Sequence, residues 1–442
     1  MGELSDQALG LFLIDLAVLI TLGRCLAGVL SRFGQPSVLG EIFAGIVIGP
    51  SLLGAIAPDA ISSLFSPEAM GLLTGIGNVG LVLFVFLIGL EIDRPAIRRR
   101  LGQVVKIAGG SFLLPFVAGL LIAGSLQTAN AEAGEGSATG LAFALFIGTA
   151  FSVTAFPVLA RILTAQRLER SMIGNISLAA AGILDLLGWL LLAVALTVAA
   201  GGGVSELLRT SSELAAFIVV VAKIGVPLLE IGLRRLGSEA RIAKLSILAA
   251  AIFVFAGTTQ LIGLHSVIGA LVLGVAFPHR DLDSLLGPVR GEVAAVTGAV
   301  LLPVYFAIAG MGIDVSGFGA GNTFELVLLF AIAGATKVLG TVLGARWAGM
   351  SWREGLPLGV LMNTRGLMEV VVLNVGLSAG ILDVTLYSEL MLVALIATLM
   401  TTPIVQRLRA HSIGWLWREV GQRAGRSAVP RAEPETSPQH SF

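Results

Sequence analysis

Two ionisable residues lie inside long apolar runs, and their types set the chemistry to look for. Asp185 is central to Ile176-Ser-Leu-Ala-Ala-Ala-Gly-Ile-Leu-Asp185-Leu-Leu-Gly-Trp189. Lys337 is central to Phe330-Ala-Ile-Ala-Gly-Ala-Thr-Lys337-Val-Leu-Gly340. A carboxylate at the centre of a membrane helix costs at least about 2.5–3.5 kcal/mol on insertion scales, so a use for it is expected. A buried acid and a buried base in separate spans point to a pathway for a proton or a small ion. A structural ion pair with a neighbouring helix is the other reading of Asp185. Desolvation and a nearby ammonium act on a carboxylate in opposite senses. That balance suits Asp185 to swapping a proton for a cation. Lys337 is either that ammonium or the cap of helix-end carbonyls, since helix C-termini attract cations. Residue type alone allows both.

Two runs carry helix breakers. One reads Gly148-Thr-Ala-Phe-Ser152-Val-Thr154-Ala-Phe-Pro157-Val-Leu-Ala-Arg161. Pro157 removes a backbone donor and frees carbonyls, and Ser152 and Thr154 put hydroxyls beside the break. The other reads Leu361-Met-Asn363-Thr364-Arg365-Gly366-Leu-Met-Glu369. Four polar or flexible residues in a row interrupt it. Irregular backbone at membrane depth is tolerated only where protein buries it or it lines a wet cavity. Paired interruptions point to a transport site between inverted repeats. The plainer alternative is a kink at Pro157 and a helix end at 363–366. Arg365 and Glu369, about one turn apart, are expected to pair and steady the break.

The elements that must hold these residues are membrane helices. The 442-residue chain is 56% hydrophobic and 13% charged, far less charged than the roughly one quarter of a soluble domain. Its 56 glycines suit closely packed membrane helices. Thirteen apolar spans are predicted, at about 8–31, 37–56, 69–91, 102–126, 139–163, 171–199, 212–233, 242–262, 265–278, 292–313, 323–347, 354–380 and 384–406. Each is near or above the roughly 20 residues a crossing needs, except the ninth. Alternate loops are basic, from Arg32 and Arg94–Arg100 through Arg161–Arg170 and Arg234–Lys244 to Arg346 and Arg353; the others hold almost no Lys or Arg. The positive-inside rule puts the N-terminus outside and the C-terminus in the cytoplasm. The first run follows Glu3 and Asp6 and is too long for a signal peptide. The tail from about 410 is polar, with Pro430, Pro434 and Pro438, and is expected to be disordered. The fold class is thus an all-α, multi-pass membrane protein of the cell membrane.

Other features are weaker. Glu41, one turn inside the second span, and Glu91 with Asp93, ending the third, are secondary ion-site candidates; snorkelling and a solvated interface are their plain readings. Snorkelling also accounts for Arg24 and Lys106, whereas Lys223 in the seventh span has no account. Gly75-Ile-Gly77-Asn-Val-Gly80 fits a dinucleotide pattern but lies inside a span with no strand before it, so helix packing is expected. His265, His279, His411 and His440 lack metal-ligand spacing. With Cys25 as the single cysteine there is no internal disulfide. There is no P-loop, so transport is expected to couple to an ion gradient. No cofactor is implied, and zero net charge implies no nucleic-acid partner.

With those residues in hand, the chain resembles the second branch of the monovalent cation:proton antiporters. That branch includes bacterial sodium/proton antiporters, glutathione-gated potassium efflux proteins and plant cation/proton exchangers. The resemblance is carried by Gly34-Gln-Pro-Ser-Val-Leu-Gly40-Glu41-Ile, Phe86-Leu-Ile-Gly-Leu-Glu91-Ile-Asp93 and the Pro157 and Asn363 stretches. His265-Ser-Val-Ile-Gly-Ala and the surroundings of Lys337 add to it, over about 8–408. It implies a thirteen-helix homodimer in membrane lipid that exchanges sodium or potassium ions for protons by alternating access and is not an enzyme. It implies a dimerisation panel (1–91 and 242–313), an ion-transport core (102–199 and 323–408) and a linker helix (212–233). The two broken helices would cross, Asp185 would match the ion-binding aspartate, and Lys337 the core lysine. Relatives usually carry Asn, Asp or Gln before that aspartate; Leu184 stands here, so the site lacks a polar ligand. One carboxylate taking one proton or one monovalent cation implies electroneutral exchange, provided Lys337 stays protonated. A potassium efflux channel and an exporter of an organic ion or ionophore complex are the alternatives on the same scaffold. The nucleotide-binding domain of the potassium efflux relatives is not expected.

Overall fold

Lipid offers no water to backbone polar groups, so a chain this apolar satisfies them inside helices. The computed structural model describes residues 6–91, 101–132, 140–168, 171–201, 204–236, 240–262, 265–277 and 286–411. The first helices are α1 (Asp6–Ser31), α2 (Ser37–Ile48), α3 (Leu53–Ile56), α4 (Pro58–Leu64) and α5 (Pro67–Glu91). Then come α6 (Leu101–Glu132), α7 (Gly140–Ser152), α8 (Phe156–Ala165) and α9 (Met172–Ala199). Next are α10 (Val204–Val220), α11 (Val226–Arg235), α12 (Arg241–Leu261), α13 (Ser266–Ala276), α14 (Gly287–Val296) and α15 (Leu302–Met311). The last are α16 (Ala320–Trp347), α17 (Trp352–Met362), α18 (Leu367–Ser378) and α19 (Val384–His411).

Among the described residues, ten helices are long and apolar enough to cross a membrane, and three shorter apolar ones accompany them. The chain is therefore a multi-pass membrane protein. The shorter helices have a physical origin. The runs at 139–163 and 354–380 are each cut in two, into helices of 13 and 10 residues and of 11 and 12 residues. None reaches the roughly 20 residues of a full crossing alone. The third, α13, has 11 residues.

The helices pack in two groups. In one, α1 lies against α2, α2 against α15, and α5 against α13 and α15, with α12 beside α13. In the other, α6 packs against α7 and α16, α16 against α17 and α19, and α9 against α7. The α6–α16 contact is close because Gly110 and Gly340 face each other: a Cβ on either would strike the other's carbonyl oxygen. This brings the Lys337 helix in beside the first break. Between the groups run α10 and α11, joined by a π-helical turn, Val221–Gly225, that carries the exposed Lys223 just before Pro227. A matching π turn, Thr297–Leu301, precedes Pro303.

Interface residues mark one end of the second group. The Lys106 ammonium lies 5.5 Å from the Trp347 ring centre and 3.4 Å from its carbonyl oxygen. The Arg346 guanidinium lies 5.8 Å from the Trp352 ring centre. Aromatic and basic side chains collect at such boundaries because one end is apolar and the other wet. Elsewhere His265 caps α13, its Nδ1 accepting from Val267 N at 3.5 Å. The Gly75–Gly80 stretch lies within α5, where a Cβ on Gly80 would meet Leu301, so it packs helices. Asp93, His279 and the tail from 412 lie outside the described residues.

Candidate functional site

The first break leaves Val153, Thr154 and Ala155 non-helical between α7 and α8. Pro157 falls in the first turn of α8, where a missing N–H costs nothing. The second leaves Asn363–Gly366 between α17 and α18, with Gly366 at φ +151° and ψ −127°. Only glycine adopts that backbone readily, and a Cβ there would lie 2.7 Å from Val158 Cγ2. The breaks cross and bond to each other. Ala155 N donates to Thr364 O at 3.1 Å, and Thr154 Oγ1 donates to Met362 O at 2.9 Å.

Several backbone groups released by the first break find partners outside their own helix. In an unbroken helix, Ala155 N would serve Phe151 O, and Phe156 N would serve Ser152 O. Here Ala155 N is given to Thr364 O instead. The Phe156 amide, first of α8, faces the Asp185 carboxylate, whose Oδ1 is left unpartnered. The carbonyls left behind take cations. Lys337 Nζ donates to Ser152 O. Arg365 donates to Ala150 O and Phe151 O, both at 3.2 Å. Arg365 also pairs with Glu369, as their spacing predicts. Lys337, Arg365 and Glu369 are each 1% exposed. Half-helix polarity explains the arrangement: cations gather at the C-terminal end of α7, and acids lie at the start of α8 and in the first turn of α18.

Asp185 is 4% exposed, and its Oδ1 has no hydrogen-bond partner. Its helix presents glycines to the breaks: a Cβ on Gly182 would sit 3.9 Å from Phe156, and one on Gly188 3.1 Å from both Val153 and Met368. No ion pair joins Asp185 to Lys337, although each feels the other's charge. Ser152 Oγ donates to Gly148 O at 2.7 Å and lies 3.2 Å from Phe112 O. Asn363 points its amide nitrogen toward Gly334, one turn before Lys337, and leaves Oδ1 unpartnered. The crossing thus gathers Asp185, Ser152, Thr154, Lys337, Asn363, Thr364, Arg365 and Glu369. Such an arrangement can hold a proton or a small cation between two backbone breaks.

Glu41 lies apart from this cluster. It is 2% exposed on α2 and pairs with Arg24 at 3.8 Å. It lines a cleft with Val158 and Arg161. Glu41 is enclosed rather than snorkelling. Arg24 stays exposed and donates to Gly298 O, a carbonyl in the π turn ahead of Pro303, which has no N–H to give. The side chains of Glu91 and Pro157 lie outside the described set.

Two buried residues escaped the sequence reading. Thr398 accepts from Arg365 N at 3.1 Å and donates to Arg365 O at 2.6 Å, so it holds the second break. Nothing in its sequence surroundings marks it. Asp15 is fully buried on α1, with neither carboxylate oxygen partnered. Its signal, an acid inside an apolar run, is the one that singled out Asp185.

Comparison with known proteins bears on the whole chain. The transmembrane sodium/hydrogen exchanger family matches residues 17–408. The Na(+)/H(+) antiporter NhaS4 of Synechocystis is 31% identical over 92% of this chain and 98% of its own length. Cation/H(+) antiporter 15 of Arabidopsis thaliana is 36% identical over 90% of this chain and 48% of its own. K(+)/H(+) antiporter 1 of Saccharomyces cerevisiae is 33% identical over 91% and 47%. The chain thus spans about half the length of these plant and yeast relatives. In fold it is similar to the sodium proton antiporter MjNhaP1 of Methanocaldococcus jannaschii, with a TM-score of 0.66 at 16% identity. That match covers 94% of this chain and 100% of the other.

Proposed function

The chain belongs to the sodium/hydrogen exchanger family, and from that premise we propose that it exchanges a monovalent cation, sodium or potassium, for protons across the cell membrane. The observation that carries this reading is Asp185: a buried carboxylate facing the first amide of a half-helix, with one oxygen unpartnered. Bound to a proton or to an alkali ion, it is neutral either way. Ser152 and Thr154 give their hydroxyl protons to carbonyls. Their oxygens therefore keep only lone pairs for a cation. Lys337, Arg365 and Glu369 hold the end of α7, and Asn363, Thr364 and Pro157 belong to the breaks themselves. Exchange is one for one and electroneutral provided Lys337 stays protonated through the cycle. Glu41, on the cleft it lines with Val158 and Arg161, stands at the approach to the site.

Transport then follows from relative movement. Residues 102–199 and 323–408 form a core that carries the crossed breaks. Residues 1–91 and 242–313 form a panel against which the core moves, and 212–233 link the two. The panel also joins two copies in a dimer. The topology is thirteen spans in inverted repeats, with the N-terminus outside and the C-terminus in the cytoplasm. Alternating access exposes Asp185 to one face at a time.

Proteoliposomes carrying a pH-sensitive dye test the proposal. Addition of sodium or potassium to the outside, with lithium as a third arm, is expected to collapse an imposed proton gradient. The rate is expected to be unaffected by membrane potential at fixed ion gradients. Current without a counter-gradient marks a channel instead, and internal pH indifferent to all three ions removes antiport.

A further inference from the structure

The oxygens able to complete a cation's shell are engaged differently at the crossing. On α9 the neighbours of Asp185 in sequence, Ile183, Leu184, Leu186 and Leu187, offer only carbon side chains. On the first break the Thr154 and Ser152 hydroxyls donate to Met362 O and Gly148 O, which fixes them and leaves their lone pairs to offer. On the second break two side-chain oxygens have no partner at all. Thr364 is fully buried, yet its Oγ1 has no partner, and Asn363 Oδ1 beside it has none. Thr364 is also held in register with Asp185. Its carbonyl accepts from Ala155 N, and the next amide along, Phe156 N, faces Asp185. Two residues with orphaned oxygens therefore flank consecutive amides at the start of one half-helix. Leaving a buried hydroxyl unsatisfied costs free energy in itself, and a cation between the breaks removes that cost.

We propose that Thr364 Oγ1 and Asn363 Oδ1 are direct ligands of the transported alkali-metal ion, completing with Asp185 an oxygen site that spans both broken helices. The inference rests on the antiport reading above. It sharpens that reading in one respect: the proton needs only the Asp185 carboxylate, whereas a dehydrated cation needs several oxygens in place of its water. Cation affinity and proton handling are thereby separated in different residues.

The test uses the full chain in proteoliposomes. Thr364→Val keeps the shape and the backbone carbonyl but removes the hydroxyl. Its apparent KM for the transported cation is expected to rise about tenfold or more with the maximal rate within about twofold of wild type. Thr364→Ser is expected to restore the wild-type KM, and Asn363→Ala to raise it by a smaller factor. A merely structural threonine would lower rate and melting temperature together and leave KM alone. That outcome overturns the assignment. A measurement on the unaltered protein guards against a variant that fails to fold: crystals soaked in thallium(I), an alkali-ion stand-in, are expected to place an anomalous peak within bonding distance of Thr364 Oγ1. A peak at Asp185 that leaves Thr364 unbonded also overturns it. Wild-type protein with no cation-dependent pH change removes the antiport reading itself, whereas wild-type activity with an unaltered KM in Thr364→Val removes only the ligand assignment.

Discussion

The two packed groups of helices each contain an interrupted ladder, and each sets a cation on the carbonyls that the interruption frees. In the group around the crossing, Lys337 and Arg365 take Ser152 O, Phe151 O and Ala150 O. In the other group, Arg24 takes Gly298 O in the π turn. The acids differ. Glu41 beside Arg24 is paired at 3.8 Å, and Glu369 beside Arg365 is paired as well. Asp185 has no such pair and faces the amide that its break set free. A second unpaired acid, Asp15, sits in an unbroken helix that has no amides to spare. A cation on a loose carbonyl is thus a repeated structural device. An unpaired carboxylate at a half-helix start is the feature that distinguishes the crossing.

Neutralising the two unpaired acids separately gives the largest contrast. Asp185→Asn is expected to reduce cation-driven proton movement to the level of protein-free liposomes. Asp15→Asn is expected to retain it within about twofold, since Asp15 faces no broken backbone. Loss of transport in Asp15→Asn, or its retention in Asp185→Asn, breaks the comparison. A stability readout sharpens it. An unsatisfied buried polar group costs about 1–3 kcal/mol, so Asp15→Leu is expected to raise the melting temperature in detergent.

The next effect in size belongs to the second break. Gly366→Ala forces a side chain into a backbone region that costs about 1–3 kcal/mol for other residues, and it overlaps Val158. Unfolding in detergent is expected at a clearly lower temperature. Adding Val158→Ala is expected to recover the overlap but not the backbone cost. Full recovery would place all the strain in the side-chain contact.

How much of this was legible differs between the two groups for a physical reason. Asp185, Lys337 and the two breaks announce themselves because lipid makes charge and irregular backbone costly, so their bare presence carries information. The Arg365–Glu369 pair is equally visible from its i,i+4 spacing, although only Glu369 lies in α18 and Arg365 stands in the break before it. The contact of Arg24 with Gly298 O is hidden because that carbonyl is freed by Pro303 far along the chain; no local pattern links the two. Thr398 was invisible for the same reason. The fold class follows from composition. The limits of the half-helices do not, since where each one stops depends on the tertiary exchange that gives Ala155 N to Thr364 O. Asp15 carries the same plain signal as Asp185, an acid inside an apolar run.

Removing the two capping cations compares the groups at smaller amplitude. Lys337→Ala leaves Ser152 O unsatisfied, and Arg24→Ala leaves Gly298 O and Glu41 unsatisfied, so each is expected to lose about 1–3 kcal/mol of stability. Only Lys337→Ala is expected to shift the pH profile of transport, because only Lys337 shares the site with Asp185. Matching profiles in the two variants would make Lys337 a cap and nothing more.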